Sequence, residues 1–242
     1  MKARFTITAL VALLIFCAGY AALFIAPDEA TMHAIQRIFY FHVASWNAMF
    51  CAFFVAFCSS VAYLVTGKRK WDALGVSGVE VGVMCCTIGL ITGPLWARPV
   101  WGIWWTWDAK LTSTFILWLL FIADLLLRGL VEDPEKKASL SAVFAIFASL
   151  DIPLVYLANT LWRTQHPQRV IGGGQGALDP TMGKVLMLCL FAVFCVMILV
   201  LLDRYRLELL RNEAAELRYE IESRGLDASD SAATPALQKG GQ

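Results

Sequence analysis

Three histidines, His33, His42 and His166, are the residues of this 242-residue chain best suited to hold a metal ion. His42 and His166 each stand close to the end of a long apolar run, whereas His33 lies in a segment between two such runs. Two imidazoles that reach from separate helix ends can bind one metal from opposite sides. We expect His33 to be an interfacial residue. A zinc site is the weaker alternative, because the chain has no HExxH motif and no cysteine near either of the other two histidines.

A tryptophan-rich stretch from residue 96 to residue 110, WARPVWGIWWTWDAK, holds five of the nine tryptophans of the chain. Haem has the flat, largely apolar macrocycle that a platform of indoles would stack against. If the stretch is helical, the i, i+3, i+4, i+7 spacing places on one face Trp101, Trp104, Trp105 and Asp108. An interfacial aromatic belt is the alternative, and it accounts well for the scattered indoles Trp46, Trp71, Trp118 and Trp162. Composition alone leaves stacking and anchoring equally open for the cluster.

The two propionates of a haem would need cationic partners at the same depth as the tryptophan cluster. Three basic residues lie close enough in sequence to the histidines and tryptophans to serve, namely Arg37, Arg98 and Lys110. We therefore expect one or more of them at the binding site.

The elements that position these side chains are predicted to be membrane-spanning helices. The chain is 59% hydrophobic and 16% charged, against about 25% charged in a typical soluble domain. An all-α, polytopic membrane fold follows, with six apolar runs at about 5–26, 41–65, 74–95, 111–128, 140–161 and 182–202. The net charge of +1 gives no indication of nucleic-acid binding. All seven cysteines fall in apolar runs without a CxxC pair, which is typical of buried packing residues.

The distribution of basic residues predicts the orientation. Fourteen lysines and arginines fall on the side of the two termini and six on the other, so the positive-inside rule places both termini in the cytoplasm. Segments 27–40, 96–110 and 162–181 then face outward. All three histidines lie in these segments or at the outer end of a span. The run 5–26 is too long for a signal-peptide core and is expected to remain as the first span. Residues 1–203 form the predicted membrane domain, and 204–242 a cytoplasmic amphipathic helix with a disordered tail.

Carboxylates within the predicted spans are candidates for function, because a charge in the bilayer is costly. Glu80 lies in the third span, and Asp151 lies near the centre of the fifth, two residues before Pro153. A local role for Asp151, in which it hydrogen-bonds within the break that the proline causes, is an equal alternative.

The stretch WGIWWTWDAKLTS resembles the WWD signature, WGxxWxWDxRLTS, of membrane proteins that handle haem during cytochrome c maturation. Within that group the chain is similar to the CcmC (haem exporter protein C) family, from about residue 31 to residue 184. RIFYFHVASW and SLDIPLVYLANTLWRTQHPQ resemble the stretches around the two family histidines. Lys110 replaces the usual arginine, Leu161 a common tryptophan and Gln165 a leucine. None of these departures removes a ligand.

The resemblance implies a specific site. His42 and His166 would be the axial ligands of the haem iron. The platform that binds haem would consist of Trp101, Gly102, Trp104, Trp105, Trp107 and Asp108. The cofactor would be haem b, held transiently and without a covalent bond, and the chain would be a haem-transfer protein rather than an enzyme.

The resemblance also implies partners and a location. Haem would be presented to the membrane-tethered haem chaperone CcmE, and the chain would associate with the ABC transporter subunits CcmA and CcmB and the small protein CcmD. The protein would reside in the bacterial inner membrane with its haem site facing the periplasm.

Two other classes of function remain as alternatives. A quinone-linked cytochrome b would carry electrons between haems at different depths, which a set of histidines confined to one face disfavours. A small-molecule transporter would use Glu80 and Asp151 in a polar pathway, although the other midplane positions are almost wholly apolar.

Overall fold

Helices make up the secondary structure of residues 2–162, 164–166 and 178–223, which are the parts of the chain that the computed structural model describes. The α-helices are α1 Lys2–Tyr20, α2 Ile38–Thr66, α3 Arg69–Trp101, α4 Ala109–Leu130, α5 Pro134–Ser149, α6 Asp151–Leu161 and α7 Pro180–Ser223. A π-helical turn, Ala21–Ile25, extends α1, and a 3-10 turn, Ala34–Arg37, leads into α2. The predicted disordered tail beyond Ser223 and part of the predicted outer segment 162–181 lie outside the described residues.

Six helical segments of the described chain are long and apolar enough to cross a membrane, with α5 and α6 together forming the fifth. The predicted all-α fold with six spans is therefore confirmed. The side on which the termini lie stays a prediction.

The centre of the bundle is the close contact between α2 and α3, which small residues permit. At Gly78 an added Cβ would lie 2.9 Å from the carbonyl oxygen of Ala52, so the two backbones nearly touch. One turn further, Gly82 leaves room for the ring of Phe53, which stacks on Phe121 of α4 at 3.9 Å between ring centroids. These contacts fix α2, α3 and α4 relative to one another and so set the positions of the residues that these helices carry.

The third helix continues past its predicted end at residue 95, through Pro94 and Pro99, to Trp101. A proline removes one hydrogen bond from a helix, but two of them here do not end it. The helix ends at Gly102, whose φ of 75° is the left-handed conformation typical of a residue that terminates a helix. Trp101 is consequently a helical residue and the tryptophans that follow are not.

The predicted fifth span is interrupted at Leu150, where α5 ends and α6 begins. Pro153 cannot donate the backbone hydrogen bond that would continue α5. Asp151 stands at the break, yet its Oδ2 is buried and has no hydrogen-bond partner among the described residues. The structure thus places the break where the proline predicts it, without the full local hydrogen bonding considered for Asp151.

The carboxylate of Glu80 is paired between helices. Its two oxygens accept hydrogen bonds from Arg204 of α7, from Nη2 at 2.5 Å and from Nε at 2.6 Å. This bidentate pair joins α3 to α7, and α7 runs without interruption through residue 203 to Ser223. The position of Glu80 therefore has a structural explanation.

Asp124 of α4 is a buried carboxylate that the sequence analysis missed, although it lies inside the predicted fourth span. It is fully buried and accepts a hydrogen bond of 2.7 Å from the hydroxyl of Ser141 on α5. One turn away, Arg128 donates to both oxygens of Asp72 on α3, at 2.6 and 3.0 Å. Polar side chains thus tie α4 to α3 and to α5 in the same half of the bundle.

Candidate functional site: a cavity between two histidines

His42 lies in the second turn of α2 and is only 5% exposed. Its Nδ1 is 2.8 Å from the hydroxyl oxygen of Thr92 on α3. The ring is flanked by two indoles, those of Trp46 and Trp96, with ring centroids 6.0 and 5.9 Å away. The imidazole is therefore held on three sides by α2 and α3.

His166 lies beyond the end of α6, in the segment that follows Leu161. Its Nδ1 is 3.3 Å from the side-chain amide of Asn159, in the last turns of α6. Its ring lies 6.3 Å from the ring of His42, centroid to centroid, with 33° between the ring planes. Two histidines from distant parts of the sequence are thus brought close together.

A cavity with an empty volume of about 730 Å³, its open mouth included, lies beside the two imidazoles. Besides the histidines, the wall includes Trp46, Trp96, Trp101, Trp104, Trp105 and Lys110. The lining is largely apolar and aromatic, as a flat apolar ligand requires.

The tryptophan stretch is not one helix, so the helix face considered for it does not form. Residues 102–108 form an irregular loop between α3 and α4, because each end carries its own helix terminator. Gly102 ends α3 in the left-handed conformation, and Asp108 caps α4 by accepting a hydrogen bond of 3.0 Å from the N–H of Leu111. The indoles reach the cavity from a loop rather than from a helix face.

Asp108 also connects the tryptophan loop to the segment that carries His166. Its Oδ2 accepts hydrogen bonds from the hydroxyl of Thr106 at 2.9 Å and from the backbone N–H of Gln165 at 3.3 Å. Gln165 immediately precedes His166. Asp108 therefore positions both the loop and the second histidine, although it does not line the cavity itself.

The predicted platform tryptophans separate into two groups. Trp101, Trp104 and Trp105 line the cavity, with Trp104 still 55% exposed. Trp107 is 74% exposed and packs edge-on against Trp105 and Phe115, outside the cavity wall. Trp107 therefore contacts a residue of the wall without lining the cavity itself.

Of the three predicted propionate partners, Lys110 lines the cavity and the two arginines do not. Arg37 pairs with Asp28 at 3.0 Å, and Arg98 donates to the carbonyl of Gly102. The ammonium of Lys110 donates to the carbonyl of Val155 at 2.8 Å and lies 5.5 Å from the ring centre of Trp46. His33, with a positive φ of 49°, is exposed and is not part of the wall.

Sequence reasoning missed Trp46 and Thr92. Trp46 was explained by the aromatic belt, but its indole is part of the cavity wall. A signal was present, since Trp46 follows His42 by four residues and so lies on the same face of α2. Thr92 gave no comparable signal, because its role depends on how α3 packs against α2.

The geometry fits a metal held between two imidazoles. Metal–nitrogen bonds of about 2.0–2.1 Å, with about 1.1 Å from each nitrogen to its ring centre, would place the two centroids about 6.3 Å apart. The observed separation is 6.3 Å. No group of three or more His, Cys, Asp and Glu side chains that could hold a metal occurs in the described chain.

Three buried donors in the wall also fit a ligand with polar edges. The indole Nε1 atoms of Trp46, Trp96 and Trp105 are buried and have no hydrogen-bond partner among the described residues. A buried donor without a partner costs free energy, which a ligand acceptor would recover. Together with the cationic side chain of Lys110, these groups suit the carboxylates of a haem.

Comparisons with known proteins identify relatives of this chain. The model of the family described as "Heme exporter protein C" matches residues 1–220. The chain is 30% identical over 202 residues to the heme exporter protein C of Bradyrhizobium diazoefficiens, covering 83% of this chain and 76% of that protein. It is 29% identical over 193 residues to that of Haemophilus influenzae (78% and 77% covered). For Escherichia coli K12 the identity is 26% over 185 residues (75% and 73% covered).

Proposed function

Since the chain belongs to the haem exporter protein C (CcmC) family, we propose that it binds one haem between His42 and His166 and presents it to the haem chaperone CcmE. The proposal starts from two facts: the chain is a multi-pass membrane protein, and its family has a role in haem handling for cytochrome c maturation. The observation that carries the proposal is the 6.3 Å separation of the two imidazoles beside an aromatic cavity.

The chain's own residues would divide the work of holding haem. His42 and His166 would hold the iron. Trp101, Trp104 and Trp105 cover the macrocycle and exclude water from it. The ammonium of Lys110, supported by buried indole N–H groups, attracts the propionates. Haem brings the iron and the reactive vinyl groups, and the protein brings position and shielding.

The exposure of Trp104 at the cavity mouth supports presentation rather than enclosure. A site that buried its ligand completely would not allow a second protein to reach it. The proposed occupant is haem b, held without a covalent bond so that it can leave with the chaperone. On this proposal the chain positions haem and is not an enzyme.

The proposed setting is the bacterial inner membrane, with both termini in the cytoplasm and the cavity facing the periplasm. The distribution of basic residues supports this orientation. The proposed partners besides CcmE are the ABC transporter subunits CcmA and CcmB and the small protein CcmD. Membership of the family supports the association with this maturation system.

Haem titration of the purified protein tests the proposal. Wild-type protein is expected to take up one haem with the Soret and visible bands of a low-spin, bis-histidine iron. His42→Ala and His166→Ala should each lose that spectrum and bind haem more weakly. His33→Ala is the matched control, because His33 is exposed and outside the cavity wall. Native haem content and spectra in both ligand variants would refute the proposal.

One of the two residues that supported the transporter alternative, Glu80, has a structural partner. Glu80, which suggested a polar pathway, is engaged by Arg204 in a bidentate pair. Nothing in the geometry of the described residues favours that function over haem binding.

A further inference from the structure

We propose that Thr92 is a positioning residue that fixes the tautomer and the orientation of His42, so that Nε2 of the imidazole is free to bind iron. This inference rests on the proposed function, because it assigns His42 as a haem ligand. It adds a residue to the site that lies on α3, away from both the histidine and the tryptophan motifs.

The hydroxyl proton of Thr92 is already used within α3. Its oxygen lies 2.7 Å from the carbonyl oxygen of Ile88, one turn earlier, and 3.3 Å from that of Gly89. A hydroxyl has one proton to donate and two lone pairs to accept with. Since the proton is directed at Ile88, the oxygen of Thr92 faces His42 as an acceptor.

The imidazole must then donate. With 2.8 Å between Nδ1 of His42 and the oxygen of Thr92, the hydrogen bond requires the proton on Nδ1. A neutral imidazole with its proton on Nδ1 has its lone pair on Nε2. That lone pair is what a metal needs, so Thr92 selects the tautomer that can act as a ligand.

The ring has little freedom to adopt another orientation. The indoles of Trp46 and Trp96 flank it with centroids about equally distant, 6.0 and 5.9 Å. On α3, a Cβ at Gly93 would lie 3.4 Å from Cε1 of the ring, which is tighter than an ordinary contact. The groove at Gly93 and the acceptor at Thr92 therefore contact adjacent atoms, Cε1 and Nδ1, of one imidazole edge.

A hydrogen bond donated by the Nδ1–H of a ligand histidine also makes Nε2 a stronger electron donor. Partners of this kind typically change metal affinity about 10–100-fold when they are removed. Greater electron donation stabilises ferric iron over ferrous iron, so loss of the bond raises the midpoint potential. Affinity and potential are both expected to respond to Thr92.

The tautomer is tested directly in the haem-free protein. The chain has only three histidines, so labelling with ¹⁵N-histidine gives three sets of ring signals, and those lost in His42→Ala belong to His42. NMR of the full-length protein in nanodiscs at alkaline pH should show His42 protonated on Nδ1 and unprotonated on Nε2. A proton on Nε2 would overturn the inference, whatever the haem affinity.

The effect on the ligand is tested with two substitutions at Thr92. Thr92→Val keeps the shape and removes the acceptor, so haem should bind about 10–100-fold more weakly and the midpoint potential should rise. Thr92→Ser keeps the hydroxyl and should remain within about threefold of wild type. Equal affinity and potential in Thr92→Val and wild type, or an equal loss in both variants, would overturn the inference.

Thr87→Val is the matched control, because Thr87 also bonds back to its own helix, to Val83 at 2.8 Å, but accepts from Trp118 instead of a histidine. It should lower thermal stability and leave haem affinity and potential unchanged. If His42→Ala binds haem as well as wild type, the proposed function fails. If affinity depends on His42 but not on Thr92, only the inference fails.

Discussion

Replacing Gly82 by alanine should destabilise the bundle, although alanine is the better helix former. An alanine Cβ at this position would lie 2.3 Å from both Cδ1 and Cε1 of Phe53, closer than any real contact. Phe53 is fully buried and stacks on Phe121 at 3.9 Å, so its ring has no space into which to retreat. Relief of the clash requires α2 and α3 to separate.

The expected size follows from two opposing effects. Overpacking a buried contact costs about 1–3 kcal/mol, and a clash this close belongs at the upper end. The exchange of glycine for alanine within a helix returns about 1 kcal/mol. We therefore expect Gly82→Ala to lower the free energy of unfolding by about 2 kcal/mol.

Gly75→Ala on the same helix is the matched control. Its Cβ would lie 3.7 Å from the nearest atoms, Cβ of Ser59 and Oγ of Ser60, which is an ordinary van der Waals distance. This variant should gain up to about 1 kcal/mol in stability. Thermal unfolding of both variants in detergent micelles, followed by circular dichroism, measures the difference. If Gly82→Ala proves as stable as Gly75→Ala, the close packing of α2 on α3 does not have the role assigned to it.

Three further predictions concern the loop, the platform and the Glu80 pair. Asp108→Ala should lower the free energy of unfolding by about 1 kcal/mol through loss of the α4 cap and should also weaken haem binding. Asp108→Asn should retain the cap. Thermal unfolding measures the effect on stability, and haem titration measures the effect on binding. Trp105→Ala should weaken haem binding about 2–10-fold and Trp107→Ala should not, and equal effects in titration would contradict the assignment of the cavity wall. A double-mutant cycle of Glu80→Gln and Arg204→Gln should give a coupling free energy of about 1–2 kcal/mol. Haem affinity should be unchanged in all three variants. A coupling near zero would count against the pair.

The sequence was sufficient to predict the six spans, because apolar runs of about 20 residues have few other stable environments. It also pointed to His42 and His166 as partners, since both stand at ends of spans on one predicted face. Their approach to 6.3 Å is consistent with that pairing. Periodicity and hydropathy carry information of this kind because each depends on short stretches of chain.

Features that depend on how helices pack were not predictable in the same way. The acceptor at Thr92, the pairing of Glu80 with Arg204 and the hydrogen bond of Lys110 to Val155 each join separate helices. The loop conformation of residues 102–108 depended on two terminators that spacing alone did not weigh. Trp46 is the opposite case. Its spacing of one turn from His42 was visible in the sequence, but the residue was assigned to the aromatic belt instead of the cavity wall.

The unbroken length of α7 has a mechanical consequence. At 1.5 Å per residue its 44 residues extend about 66 Å, roughly twice the thickness of the hydrocarbon core of a bilayer. The helix is pinned at adjacent residues, where Asp203 pairs with Arg4 and Arg204 with Glu80. Beyond these contacts about 30 Å of helix remains. It is paired with α3 again where Glu216 lies 3.9 Å from Arg69, so the position of this extension and a rotation of α7 within the bundle are coupled through α3.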